Sequence, residues 1–259
     1  MRIAFYRSFR PSTLALLALA ASPAAAQRFN IDIGATAATN PTAAYGAAAL
    51  QPGFWSWEQP IPGSTQPVST LTGGGSGVTL EITGGVGGMM FDNVGTVGDD
   101  QALMDDGLNV GGVGAVVDWT FSGLIGDGYW VYTYAWAPDG AASRTKVSVI
   151  EVGGVDTYDP DQVIGRAWPG FQKYIETFAL HFVVVPPGAD LIVRTTTTVG
   201  LGRVQGFQLV RSGGACDGRI VEYCVGKLNS AGCLPDIGSG GVPPSASGAA
   251  AGAFHITAS

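Results

Sequence analysis

The stretch that most constrains the fold is YWVYTYAWA at residues 129–137, where large aromatic side chains recur at every second position. Successive side chains of a β-strand point to opposite faces, so these rings share one face of a predicted strand. The four residues are Trp130, Tyr132, Tyr134 and Trp136. Each ring can bury roughly 150–250 Å², and four open rings would exceed the apolar patch usual on a soluble monomer. The face must therefore be covered by the protein itself or by a ligand.

The remaining chain repeats this alternation in short runs separated by turn signals. Further strands are predicted at residues 29–33, 78–83, 115–121, 145–152, 175–185, 189–197 and 204–211. Residues 122–128 are expected to join two of these strands as a hairpin, and residues 102–106 to form one helical turn. Forty glycines suit a protein with many tight turns. The sequence therefore predicts an all-β fold, an antiparallel two-sheet β-sandwich of the jelly-roll type.

A second aromatic segment, QPGFWSWEQPIPG at residues 51–63, carries Trp55 and Trp57 among prolines. Proline cannot donate to a β-ladder, so this segment is predicted to be a long ordered loop. We expect the loop to lie against the sheet that carries Trp130 and Trp136. If it covers the rings fully, they form a satellite core; if it covers one side, loop and sheet form a cleft with tryptophan walls.

The composition of the chain ends predicts an exported protein. Residues 1–26 combine a basic start, a short apolar run and a small-residue cleavage signal, which is typical of a secretory signal peptide. No other segment is apolar for long enough to predict a transmembrane helix.

The chain without the predicted signal peptide is acidic. Loss of the three arginines in residues 1–26 leaves ten basic against twenty acidic residues, a net charge of −10. Such an acidic chain argues against nucleic acid as a partner. The β-sandwich is predicted over residues 27–212.

Residues 213–259 form a distinct C-terminal segment with three cysteines, rich in Gly, Pro, Ser and Ala. It is predicted to be a short irregular tail, too poor in large apolar residues for its own core. An oxidising compartment permits a disulfide there, and Cys224–Cys233 is favoured over Cys216–Cys224. We expect the tail to be dispensable for folding of the sandwich.

Three segments resemble galactose-binding-like β-sandwich modules, including malectin-like domains. FNIDIG at residues 29–34 resembles their opening strand, GDGYWVYTYAWAPDG at 126–140 their central "G-x-Y-x-V" strand, and VQGFQLVR at 204–211 their closing "G-x-x-L" strand. The resemblance implies that Tyr129 and Val131 face the core between the sheets. The four alternating aromatics would then face away from it. The tail, from YCVGKLNSAGC onward, resembles the opening of a second cysteine-containing β-domain of large extracellular bacterial proteins. The resemblance implies either a truncated second domain or a vestige of one.

Carbohydrate of the extracellular matrix or cell envelope is the predicted partner, bound without catalysis. Sugar C–H faces pack on aromatic rings while their hydroxyl groups bond to polar neighbours. The candidate ligand-binding residues are Trp130, Tyr132, Tyr134, Trp136, Trp55 and Trp57. The alternatives are a structural or adhesive surface protein without a small ligand, and a two-carboxylate glycan hydrolase. No cofactor is predicted.

Calcium is a further possibility, in a structural role. Two groups of acids in loops are candidates, because Ca²⁺ takes carboxylate and carbonyl oxygens. One group comprises Asp99, Asp100, Asp105 and Asp106, and the other Asp156, Asp159 and Asp161. Neither matches the calcium-loop pattern with its terminal Glu, and aspartates in solvated turns are the simpler interpretation.

Overall fold

A computed structural model describes residues 27–34, 39–151, 155–156 and 160–212 of the chain. In chain order the elements are β1 (Arg28–Ile33), β2 (Trp55–Glu58), β3 (Thr65–Ser69), β4 (Gly75–Gly84), β5 (Gly87–Met90), α1 (Asp99–Met104), β6 (Asp106–Gly111), β7 (Val116–Ser122), β8 (Asp127–Tyr134), β9 (Arg144–Glu151), β10 (Val155–Asp156), β11 (Gln162–Ile164), β12 (Phe178–Val185), β13 (Leu191–Val199), β14 (Gly202–Val204) and β15 (Gly206–Arg211). The predicted all-β fold is confirmed.

Two large sheets form the sandwich. The five-stranded sheet has the order β12-β8-β15-β1-β2, and the seven-stranded sheet the order β10-β9-β13-β7-β4-β3, with β11 paired to β9. A small third sheet, β14-β6-β5, closes one end. All pairs in the two large sheets are antiparallel except β1 and β2, which run parallel.

The main core lies between the two large sheets. From the five-stranded sheet, Phe29, Val131 and Phe207 point inward, and all three are fully buried. The other sheet meets them with Trp119 and Phe121, whose rings pack edge-on against Phe207 at centroid distances of 5.1 and 5.4 Å. The alternation predicted for Tyr129 and Val131 is therefore correct, since both belong to this core. The opposite, outer face of the five-stranded sheet carries the aromatic row, which we define as Trp130, Tyr132, Tyr134 and Trp136.

Two local predictions were wrong. Residues 122–128 do not close a hairpin, because β7 belongs to the seven-stranded sheet and β8 to the five-stranded sheet. The segment 51–63 is not a loop throughout, since Trp55–Glu58 forms β2 at the edge of the five-stranded sheet. Pro52 and Pro60 flank this short strand, so neither proline interrupts its ladder. The predicted turn at 102–106 overlaps α1, which starts three residues earlier.

Several predicted features fall on residues that the structure does not describe. The signal peptide at 1–26 and the three cysteines at positions 216, 224 and 233 lie outside the described ranges. Their roles remain predictions. Within those ranges, no helix is long and apolar enough to cross a membrane.

Candidate functional site

The aromatic row forms a second apolar cluster on the outer face of the five-stranded sheet. In β8, Trp130 and Tyr132 lie opposite Phe182 and Leu180 of the neighbouring strand β12. The Trp130 and Phe182 rings lie 5.0 Å apart. All four aromatics of the row are buried, and Trp130, the most accessible, is 7% exposed. The chain itself therefore covers this face, which was one of the two alternatives that the sequence left open.

The cover is the loop of residues 42–50 together with the inward side of α1. Ala47, Ala48 and Ala49 pack on the rings, and Leu103 and Met104 of α1 join the cluster. Small side chains let the loop backbone approach the rings closely. This loop, and not the segment 51–63, takes the place of the predicted lid.

Hydrogen bonds fix the covering loop to the sheet. The Ala48 N–H donates to the Tyr134 hydroxyl (2.8 Å), which in turn donates to Gln208 Oε1 (2.5 Å). The Gln208 amide also accepts from Ala49 N (3.0 Å) and donates to Gly46 O (3.0 Å). Burial raises the pKa of the Tyr134 hydroxyl well above its ordinary value, so it stays neutral. The Tyr134 hydroxyl and the Gln208 amide are thus bonded within the protein, whereas Trp130 Nε1 has no hydrogen-bond partner among the described residues.

The two tryptophans of β2 occupy different surroundings. Trp55 is buried in the aromatic cluster, stacks on Tyr45 at 5.9 Å and donates from Nε1 to the Tyr45 carbonyl (3.1 Å). Trp57 is half-buried further along the strand, and its Nε1 donates to Gly34 O (2.9 Å). The structure therefore brings Trp55, but not Trp57, into the cluster of the alternating aromatics. Direct ligand binding by these six residues stays a prediction.

An open cavity of about 500 Å³ lies next to the covered face, at the end of the sandwich where β1 terminates. Its walls come from residues that follow β1, from the end of β5 and from α1 and its flanks. The lining includes Asn40, Phe91, Asp92, Gln101, Asp105 and Asp106. Phe91 is 45% exposed, so the cavity has an accessible aromatic ring beside carboxylate and amide groups. This size and mixture are typical of a site for a small ligand.

The acids of this region divide into structural and cavity-lining groups. Asp99 accepts from Thr42 N and Oγ1, and Asp100 accepts from the Tyr45 hydroxyl, so both hold the covering loop. Asp105 and Asp106 line the cavity. The sequence singled out all four as possible calcium ligands, but the structure uses them in these two ways.

Asp105 is held rigidly at the cavity wall. Its carboxylate accepts from Thr96 Oγ1 (2.7 Å) and from Asn93 N (2.9 Å). Burial raises the pKa of the Asp105 carboxyl, and the nearby charge of Asp92 adds to the rise, while these hydrogen bonds oppose it. A carboxylate so oriented can accept a hydrogen bond from a ligand without reorganisation.

A buried carboxyl pair lies behind the wall. The oxygens Oδ2 of Asp32 and Oδ2 of Asp106 come within 2.9 and 3.1 Å of the point where a side chain at Gly34 would begin. A residue larger than glycine would therefore collide with both. Asp106 accepts from Thr39 Oγ1 (2.8 Å), whereas neither oxygen of Asp32 has a hydrogen-bond partner among the described residues. Burial first, and then the charge of Asp106, raise the pKa of Asp32 well above its ordinary value.

The other acids proposed for calcium are placed differently. Asp161 accepts from Lys146 Nζ (2.7 Å) and from Ser148 Oγ (2.5 Å), and these contacts lower its pKa. The side chains of Asp156 and Asp159 lie outside the described part of the chain. Within the described part, no three His, Cys, Asp or Glu side chains are grouped to hold a metal ion.

Sequence reasoning missed most of the cavity. It did not single out Asn40, Phe91 or Gln101, because none belongs to an alternating run or to a recognisable motif. The available signal was the apolar run MMF at residues 89–91, which breaks off at Asp92 and precedes an acidic helix start. Exposed apolar residues next to acids mark an amphipathic surface, but their assembly depends on the tertiary fold.

Comparison with known proteins returns carbohydrate-binding modules among solved structures. A family 61 module in complex with β-1,4-galactotriose is 12% identical, covering 51% of this chain and 88% of that chain, with a TM-score of 0.28. A family 35 module from Clostridium thermocellum is 17% identical over 50% of this chain and 90% of that chain, with a TM-score of 0.33. No protein-family model matches the chain, and no curated protein matches it.

A third neighbour is the family 36 module of a multidomain xylanase from the hindgut metagenome of Trinervitermes trinervoides. It is 11% identical over 50% of this chain and 95% of that chain, with a TM-score of 0.26. At such values the neighbours carry no argument about a ligand. We therefore base the functional proposal on the residues of this chain.

Proposed function

We propose that the protein is an exported, non-catalytic carbohydrate-binding module for glycans of the extracellular matrix or cell envelope. The observation that carries this proposal is the open cavity, in which the exposed ring of Phe91 adjoins the side chains of Asn40, Gln101 and Asp92. A pyranose ring presents C–H groups that pack on an aromatic face and hydroxyl groups that bond to amides and carboxylates. The cavity offers both kinds of contact.

Phe91 is the stacking residue of this proposal, in place of the aromatic row. The Tyr134 hydroxyl is already hydrogen-bonded to the covering loop, so a sugar would have to displace that loop to reach it. Phe91 needs no such rearrangement. Its neighbour Met90 is also exposed and extends the apolar wall.

The proposal is tested by titrating the purified full chain with neutral oligosaccharides and following binding by calorimetry. Phe91→Ala should weaken binding roughly two- to tenfold, because stacking of one ring contributes on the order of 0.5–1.5 kcal/mol beyond buried area. Phe54→Ala is a matched control, since Phe54 has a similar exposure of 43% but does not line the cavity. Equal losses in both variants, or unchanged affinity in Phe91→Ala, would place the ligand elsewhere.

Two other outcomes distinguish the rival functions. Self-association without glycan binding would favour an adhesive surface protein, and the exposed Val86, Val94 and Val97 near the cavity would be its contact residues. Release of sugar from a glycan, lost in Asp106→Asn, would favour a hydrolase. Binding with no released product supports the module.

A further inference from the structure

We propose that the cavity prefers glycans built of amino sugars, which carry protonated amines, over glycans built of neutral sugars or uronic acids. This inference rests on the proposed function and specifies its ligand class. It is argued from the charges of the lining, from a buried carboxyl group behind the wall and from the position of Phe91 among the acids.

Among the described residues, the lining of the cavity carries acids and no bases. Asp92, Asp105 and Asp106 contribute carboxyl groups, and the described lining includes neither Lys nor Arg. Amides and hydroxyl groups supply the other polar atoms, and Asn40 Oδ1 has no hydrogen-bond partner among the described residues. An amine donates hydrogen bonds and carries positive charge, so it fits a wall of acceptors. A uronate would meet only like charge.

The buried Asp32 is a second observation that points to a cation. Its carboxyl group is completely buried, lacks a hydrogen-bond partner among the described residues and faces the carboxyl group of Asp106. Burial, and then the charge of Asp106, raise the pKa of Asp32 and so favour its protonated form in the free protein. A positive ligand group beside Asp106 would offset that charge.

This coupling gives the inference a measurable signature. When an amine binds beside Asp106, the pair can release the proton it retained. Protons released into the buffer make the observed binding enthalpy depend on the ionisation enthalpy of the buffer. A neutral sugar would leave the pair protonated, and its binding enthalpy would be the same in every buffer.

Because Phe91 lines the cavity, we expect the positive charge to belong to an amine on a sugar ring, since the ring can stack on Phe91. Phe91 and Asp92 are adjacent in the sequence and both line the cavity. A sugar ring stacked on Phe91 would place a ring substituent near the acids. A small cation alone would make no use of the ring beyond a cation–π contact.

The test compares three β-1,4-linked hexasaccharides that differ only in the group on carbon 2: glucose, N-acetylglucosamine and glucosamine. Binding is measured by calorimetry with the full chain at about pH 6, where amines of this kind are protonated. We expect the glucosamine hexamer to bind on the order of tenfold more tightly than the other two in dilute salt. We expect this advantage to shrink at about 0.5 M salt, which screens exposed charges.

Variants then assign the advantage to residues. Asp92→Asn, an isosteric change at an exposed position, should weaken the glucosamine hexamer more than the glucose hexamer and so reduce the advantage of the amine. Asp190→Asn is the matched control, because Asp190 is also exposed but lies outside the cavity. Phe91→Ala should weaken all three hexamers.

Each remaining outcome contradicts the inference. Equal binding of the three hexamers would overturn the amine preference while leaving the proposed function intact. Tighter binding of oligogalacturonate would overturn it by reversing the expected charge. Polylysine is the control for charge alone. If it binds as tightly as the glucosamine hexamer and Phe91→Ala does not weaken its binding, the cavity attracts cations without recognising a sugar. Failure of every glycan to bind would remove the proposed function itself.

Discussion

The covered aromatic face and the open cavity use the same kinds of side chain in opposite ways. On the covered face, the hydroxyl of Tyr134 and the amide of Gln208 are bonded to the backbone of the covering loop. In the cavity, Phe91 is exposed and Asn40 Oδ1 has no partner within the described ranges. Aromatic density therefore does not distinguish a binding surface from a satellite core. The better indicator is the exposure of the rings, since Trp130 is 7% exposed and Phe91 45%.

The largest expected effect concerns the covered face. Trp55→Ala removes a buried ring, its stacking on Tyr45 and its hydrogen bond to the Tyr45 carbonyl. Buried Trp→Ala changes typically cost about 3–5 kcal/mol of unfolding free energy, which urea denaturation would measure. Phe91→Ala should cost less than about 1 kcal/mol, because the ring is partly exposed. Equal costs for the two variants would abolish the distinction between the two regions.

The next prediction concerns how the unfolding free energy depends on pH. The buried carboxyl groups whose pKa values are raised lie at the cavity end of the molecule. Burial raises the pKa of Glu58 from 4.5 to about 7, and it also raises the pKa values of Asp32 and Asp105. Gly34, beside the Asp32–Asp106 pair, donates from its N–H to the Glu58 carbonyl (3.2 Å). A carboxyl group whose pKa is raised by folding stabilises the fold below its unfolded pKa, and this stabilisation is lost as pH rises through the folded pKa.

We therefore expect the unfolding free energy to fall between about pH 4.5 and pH 7, with Glu58 contributing up to about 3 kcal/mol. Glu58→Gln should flatten this dependence and stabilise the protein at about pH 8. Urea denaturation at several pH values measures both effects. Glu81→Gln, at an exposed position of β4, is the control. A profile that rises with pH, or one unchanged by Glu58→Gln, would contradict the prediction.

A smaller loss of unfolding free energy is expected when only the Tyr134 hydroxyl of the covered face is removed. Tyr134→Phe leaves Ala48 N and Gln208 Oε1 without the hydroxyl that joins them. Leaving buried groups unsatisfied costs about 1–3 kcal/mol. Hydrogen exchange at Ala48 and Ala49 should accelerate if the hydroxyl fixes the loop. Tyr174→Phe, at an exposed position, should change neither property. Unaltered exchange in Tyr134→Phe would mean that packing alone holds the cover.

The smallest effect is expected from removing residues 213–259. If the loop of residues 42–50 and α1 suffice as cover, a chain of residues 27–212 should melt within a few degrees of the chain that includes the tail. One kcal/mol shifts the melting temperature of a domain of this size by only about 2–4 °C. A decrease of more than about 10 °C would show that the tail contributes packing, and the expected contacts would be Trp130, Phe178 and Val210, the most accessible of the buried members of the cluster.

The sequence predicted those parts of the fold that depend on local alternation. A strand has a fixed period of two, so Tyr129 and Val131 were placed on the face opposite the aromatic row, and the resemblance to galactose-binding-like modules implied that their face is the core. Which strand each strand pairs with could not be predicted from this alternation. The crossing of residues 122–128 from one sheet to the other has the same turn residues as a hairpin, so the wrong connection was predicted.

The site could be predicted only in part, for a related reason. Aromatic residues and acids are visible in a sequence, but their hydrogen-bond partners are not. Asp100 bonds to Tyr45, which is 55 residues away, and the Asp32–Asp106 pair joins strands from distant parts of the chain. Whether an acid is a ligand-binding group or a structural anchor depends on these long-range contacts. The sequence therefore named Asp105 and Asp106 without distinguishing their role from that of Asp99.

The antiparallel pairing of β1 with β15 also determines how the module can be tethered. Arg28 lies opposite Val210 and Asp32 opposite Gly206, so Gln27 and Ser212 leave the sheet at one end. The cavity lies at the other end, beyond Ile33. β1 spans six residues, or roughly 20 Å at about 3.3 Å per residue. Whatever is attached through either end of the module is therefore held at the end of the β1–β15 pair that lies opposite the cavity.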